Sequence, residues 1–91
     1  MYNITSYSKE QAKKLGVEIK PSKLKNKKID VYKGNEKVAS IGNKNYKDYP
    51  TYMLEKGLAF ANERRKLYKI RHEKDRKIKG SAGYYADKIL W

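Results

Sequence analysis

The chain has 91 residues, 38% hydrophobic and 36% charged, with a net charge of +13 from 19 Lys and 4 Arg against 10 acids. At this length one domain, 1–91, is expected, and it buries only about 60–65% of the surface its unfolded chain exposes. With no Cys, disulfides and thiolate metal centres are excluded; no apolar run nears the ~18–20 residues of a membrane helix, and MYNITSYSKE lacks a secretory apolar stretch, so a soluble, non-secreted protein is expected.

Ser8-Lys9-Glu10-Gln11 reads as a capping box and Gly16 as the residue beyond a helix end, which predicts a short helix over 9–15. Val17 to Lys20 alternates as a half-buried strand does, and Pro21 closes it. A Lys-rich connection, 22–28, leads to IDVYK, then Gly34-Asn35, then EKVASI, a β-hairpin over about 28–41. A two-residue loop there sets Val31 opposite Val38 and Ile29 opposite Ser40, with Ile29, Val31 and Val38 on one face. Pro50 suits a helix's first turn, and residues 51–78 read as one long helix. Leu54, Leu58, Ala61, Arg65, Tyr68 and His72 fall on one stripe of it, with Met53, Phe60 and Leu67 beside them. Gly57 costs such a helix about 1 kcal/mol relative to Ala and marks a kink or a close approach. Lys69/Glu73, Arg71/Asp75 and Glu73/Lys77 are spaced as i,i+4 pairs of an exposed helix. Gly80 stops it, Ser81 caps a new turn, and 84–91 forms a short helix with Tyr85 and Ile89 on one face. The fold class is therefore α+β: a helix and hairpin part (9–47), a long helix (48–79) and an apolar tail (80–91).

Charge is uneven. Residues 17–47 and 63–79 each carry +6, whereas 48–62 carry −1 and 80–91 carry none. The segment 64–79 holds nine Lys or Arg in sixteen residues, with Tyr68 among them, a density that suits phosphate contacts as well as a solvated face. The candidate nucleic-acid contacts are Arg64, Arg65, Lys66, Lys69, Arg71, Arg76, Lys77 and Lys79, with Lys25, Lys27 and Lys28 from the second zone. Lys binds phosphate without reading bases in pairs, so little sequence specificity is expected. Few exposed aromatics fall on strands, which argues against an RNA-recognition sheet of the RRM type. Tyr46, Tyr49 and Tyr52 can stack on bases, but they bracket Pro50 and suit the junction between hairpin and helix better. His72, the one His, has no second His or Cys to share a metal and no evident partner for general-base work. Glu63, Glu73 and Asp75 each have a basic residue at helical spacing and read as salt-bridge partners. No enzyme, metal or cofactor is expected.

The runs YKDYPTYMLEKG, ERRKLYKIRHEKDR and GSAGYYADKILW, with AKKLGVEIKPSKLKNKKIDVYK and VASIG before them, resemble a family of small uncharacterised basic proteins of large nucleocytoplasmic DNA viruses, phycodnavirus- and mimivirus-like. The resemblance covers roughly residues 10–91, and its most distinctive elements are Arg71-His72 and the GYYADKILW ending. It implies a viral origin, in a virion or in the host cytoplasm or nucleus, without implying an activity. Tyr84, Tyr85, Ile89, Leu90 and Trp91 then form a segment that either completes the chain's own thin core, the preferred reading, or docks into a partner, each large side chain contributing about 1.5–3 kcal/mol when buried. The leading expectation is non-catalytic, largely sequence-independent binding of nucleic acid, DNA ahead of RNA, in genome packaging. The alternatives are a minor virion protein docking through its tail, and a ribosome- or translation-associated protein. Partners are nucleic acid or virion proteins, with no membrane.

Overall fold

The computed structural model describes residues 2–91. They form α1 (Ser6–Leu15), β1 (Glu18–Pro21), β2 (Ile29–Lys33), β3 (Glu36–Ile41), α2 (Tyr49–Lys56), α3 (Leu58–Arg71), α4 (Glu73–Arg76) and α5 (Ala82–Leu90). The class is α+β, with a short N-terminal helix, an antiparallel sheet in the order β1-β2-β3 and a C-terminal helix.

α1 begins at Ser6, three residues earlier than expected, with Thr5 and not Ser8 as its cap. Thr5 is extended and its side-chain oxygen accepts the Ser8 amide at 3.2 Å, which satisfies one of the orphan donors of the first turn. Ser8 is instead fully buried, and its hydroxyl donates to the Ile89 carbonyl at 2.9 Å. Its acceptor therefore lies on α5, while within its own turn the same hydroxyl accepts from the Thr5 hydroxyl at 3.3 Å. Gly16, at φ 72°, ends the helix as expected, its amide bonding back to the last turn.

The hairpin forms around Gly34-Asn35, but its register differs from the expected one. Tyr32 pairs with Lys37 and Val31 with Ala39, so Val38 is an extra residue in β3. This bulge moves Ile29 opposite Ile41 instead of Ser40. Ile41 thereby joins Ile29 and Val31 in the core, all three essentially without exposure, while Val38 is only half-buried. On the other face the Ser40 hydroxyl donates to Asp30 at 2.7 Å. Pro21 ends β1 on the sheet edge, where its missing N–H costs no ladder bond.

The expected long helix is three helices. Gly57 adopts φ 93° and ψ 169°, a region essentially reserved for glycine, and the chain turns there so that α3 folds back on α2. Side chains close this helical hairpin: the Tyr49 hydroxyl donates to Asn62 at 3.0 Å, Arg65 lies 4.7 Å over the Tyr49 ring, and Tyr52 meets Phe60 at 5.5 Å. The turn also overturns the continuous buried stripe. Ala61 and Tyr68 are buried, but Leu54 is 80% and Leu58 56% exposed. α3 stops at His72, which leaves the helical region at φ −108°, ψ 23°. Of the three expected i,i+4 pairs only Lys77–Glu73 forms, at 2.9 Å.

α5 covers the sheet. Ser81 caps it by accepting the Tyr84 amide at 3.2 Å, and Tyr85, Ile89 and Leu90 enter a core shared with Ala12, Val17, Ile29, Val31 and Ile41. Tyr84 stays half-buried, edge-on to Tyr85. The apolar tail thus packs within its own chain. Gly83 lets α4 lie against α5, since a Cβ there would sit 2.9 Å from the Asp75 Cβ.

Candidate nucleic-acid interface

Helical spacing puts Arg64, Tyr68, Arg71 and His72 on one face of α3. That face forms one wall of a hollow of about 510 Å³, the other walls being the 42–48 loop with Tyr46 and Lys47, Tyr52 of α2, and Leu90 and Trp91 at the end of α5. A shallower hollow of about 390 Å³ shares Gly42, Tyr68, His72 and Ala86 with it and runs on past Lys27 to Ile78 and Ser81. The two make one groove with Tyr68 and His72 at its middle.

Three rings stack at the centre. Tyr68 lies between Trp91, 4.3 Å away and nearly parallel at 6°, and His72 at 4.4 Å and 28°. Tyr52 approaches Trp91 at 6.3 Å. Burial, followed by the nearby Asp87 and Asp75 charges, pushes the Tyr68 phenol up to about 12, so it is neutral across the physiological range. Tyr46, at 71% exposed, stands on the opposite lip.

The shallow hollow is lined by Asp75, whose carboxylate lies 3.7 Å from His72 Nδ1, whereas the electrostatics of the larger one follow from a single neutralised acid. Asp48 is the acidic residue lining the larger hollow. Lys28 pairs with it at 2.9 Å, the Tyr2 hydroxyl donates to it at 2.7 Å, and its second oxygen caps α2 by accepting the Thr51 amide at 3.0 Å. Burial works to raise its pKa, but the Thr51 side chain, the Lys28 ammonium and the Tyr2 hydroxyl outweigh that and hold the carboxyl below the usual range. The Tyr2 phenol is pushed up by burial and by the same carboxylate. With Asp48 neutralised, the charge left facing the hollow is that of Arg64 and Arg71, neither of which joins an ion pair among the described residues. Arg64 lies 5.5 Å over the Tyr52 ring. Lys47 pairs with Glu55.

The expected contact residues separate accordingly. Arg64 and Arg71 line the groove, Lys27 borders its shallow end, and Lys25, Lys66 and Lys79 are exposed. Lys77 is exposed but tied to Glu73. Arg65 is half-buried over Tyr49, and Arg76 donates its Nε–H to the Lys69 carbonyl at 3.2 Å. Lys28 and Lys69 do not belong to the free surface. Lys28 is 5% exposed against Asp48, and Lys69 pairs at 2.7 Å with Asp87, itself 1% exposed. Each charge is drawn inward by a carboxylate that cannot be buried alone. Tyr49 is buried at the helix junction, whereas Tyr46 and Tyr52 reach the groove. The stack of Trp91 on Tyr68 escaped sequence reading because packing alone brings those positions together. Among the described residues no group of His or acidic side chains is placed to hold a metal, and no helix is long and apolar enough to cross a membrane. Comparison with known proteins finds no matching family model, curated protein or solved structure.

Proposed function

We propose that the chain is a non-catalytic nucleic-acid-binding protein that holds phosphates largely without regard to sequence. The observation that carries this reading is that Arg64 and Arg71, on one face of α3, join no ion pair among the described residues, with Lys66 exposed on another face, in a chain of net charge +13. Buried Asp48 and Asp87 are matched internally by Lys28 and Lys69, and buried Asp30 by the Ser40 hydroxyl, so the surplus cations are left to an external polyanion. Lys outnumbers Arg, which suits point contacts to phosphate more than paired contacts to base edges. The resemblance to proteins of large DNA viruses suggests genome packaging as the setting and DNA as the first polyanion to test. The alternative of docking through the tail loses weight because Tyr85, Ile89 and Leu90 are already buried.

The test is a fluorescence-anisotropy titration of wild-type protein and of a triple variant, Arg64→Gln, Lys66→Gln and Arg71→Gln, at several salt concentrations. The variant is expected to bind all sequences more weakly and to lose up to ~2.7 from its log–log salt slope, about 0.9 for each phosphate contact removed. Equal affinity and slope for both proteins at ~50 mM salt would remove α3 from the binding surface. Metal-dependent cleavage of the probe, abolished by His72→Ala, would overturn the non-catalytic part.

A further inference from the structure

Phosphate binding alone needs only surface cations; it does not need an aromatic hollow. A duplex keeps its bases stacked inside and presents phosphates to a convex basic face. Here the guanidinium groups of Arg64 and Arg71 stand instead at the wall of a concavity that Tyr46, Tyr52, Tyr68 and Trp91 also line, along with Leu90 and the polar 42–48 loop. Its ~510 Å³ falls in the range of small-molecule sites. Arg64 and Arg71 are seven residues apart, about 10.5 Å along the helix axis, and Tyr52, Tyr46 and Trp91 line the same space. Tyr46 is the most exposed of these aromatics, on the lip of the hollow, and has no ring or hydroxyl partner among the described residues. A flat hydrophobic ligand carrying negative charge at its edges fits this combination, and a nucleotide is such a ligand. The shallow hollow beyond His72 is bordered by Lys27 and by the exposed carboxylate of Asp75, so the larger hollow is the better seat for an anionic ligand.

We propose that the larger hollow receives one unstacked nucleotide of a single strand, its base lying among Tyr46, Tyr52 and Trp91 and its flanking phosphates on Arg64 and Arg71. This rests on the nucleic-acid reading above and narrows it: the preferred ligand is a single strand or an opened end, not an intact duplex. Stacking tolerates any base, so the preference is for strandedness and not for sequence.

Trp91 is the only Trp, so its emission reports this hollow directly. The probes are an oligothymidylate of about 12 nucleotides, within the ~4–16 nucleotides of known single-strand sites, its duplex with oligodeoxyadenylate, and an abasic strand with the same number of phosphates. Labelled-probe anisotropy and Trp91 emission are followed together. The thymidylate is expected to quench Trp91 and to bind at least about fivefold more tightly than the abasic strand, the lower end of what one stacked base supplies. The duplex is expected to bind without quenching. Tyr46→Ala, a change at an exposed position that leaves the core untouched, should lose most of the margin over the abasic strand. Lys13→Gln with Lys33→Gln, outside the hollow, should weaken both strands equally. A parallel oligouridylate distinguishes RNA from DNA as the source of the strand, and a margin over the abasic strand with either sugar supports the proposal. If thymidylate and abasic strands bind equally and Trp91 emission does not change, the hollow takes no base, while the phosphate-binding reading stands. If no probe binds at ~50 mM salt, both fail.

Discussion

Asp48 joins three parts of the molecule through two oxygens: Lys28 before β2, Tyr2 near the N-terminus and the first turn of α2. Removing its charge leaves the Lys28 ammonium buried and unmatched, so Asp48→Ala is expected to cost about 3–5 kcal/mol, read from urea denaturation. The pH dependence has a definite sign. Asp48 has a folded pKa below its unfolded value, so its contribution is fully present above about pH 4, the unfolded carboxylate range. It is lost as pH falls through the depressed folded value. Urea midpoints should therefore hold from about pH 6 to pH 4 and fall below about pH 4 in the wild type, and fall less in Asp48→Asn. An equal drop in both would assign the acid sensitivity to other carboxylates. None of this was readable beforehand. Lys28 sits in a Lys-rich run indistinguishable from solvated charge, and only a carboxylate twenty residues later decides that it turns inward.

Elements announced by local signals were legible, and those decided by distant packing were not. Gly80 followed by Ser81 marked the start of α5, and Gly16 marked the end of α1, because a cap satisfies its own turn's backbone groups. Gly57 was visible as an irregularity, but a glycine inside a helix costs only about 1 kcal/mol. What turns it into a sharp corner is the docking of Tyr49 on Asn62 and Arg65, which no periodicity records. The bulge at Val38 was hidden in the same way, since both registers place apolar residues on the inner face. The corner makes a prediction. Gly57→Ala forces a side chain into a glycine-only conformation and should lower stability by about 1–3 kcal/mol, measured by thermal or urea denaturation; unchanged stability would mean that α2 and α3 can join without loss. α5 makes another. Ile89 is fully buried among sheet and α1 residues, and Ile89→Ala is expected to cost about 2–5 kcal/mol, with a matching fall in Tm. A smaller loss would show α5 to be an accessory cover. Of the site, the cations of α3 were legible by spacing. Of its aromatics, Tyr46 and Tyr52 were weighed as base stackers and set second to a junction role, while Trp91 was not placed there, because Tyr68 and Trp91 meet only once α5 has docked.

At the scale of the whole molecule, +13 on 91 residues is a standing repulsion. Screening shortens its range from about 30 Å at 0.01 M salt to about 8 Å at 0.15 M. The ligand-free protein should therefore become more stable as salt rises over that interval, while its affinity for nucleic acid falls. Calorimetry and anisotropy on one preparation test the two opposite trends. A stability that declines with salt would show that the ion pairs of Lys28 and Lys69 outweigh the surplus charge.

The bond from Ser8 to the Ile89 carbonyl spans 81 positions of sequence, and Tyr7 reaches the Trp91 carbonyl beside it. Closing so long a loop is entropically slow, whereas the β2–β3 and α2–α3 hairpins need only local encounters. The docking of α1 on α5 is therefore a late event in assembly. The groove has α3 on one side and the end of α5 on the other, so it is complete only once α5 is seated. A strand bound there favours the completed state by mass action, about 2.7 kcal/mol at a hundredfold excess over its Kd. Such a strand would also slow the reopening of α5. On the proposed function, a nucleic acid bound there would act as a clamp on the seated α5, and cargo and fold would be held by the same contact.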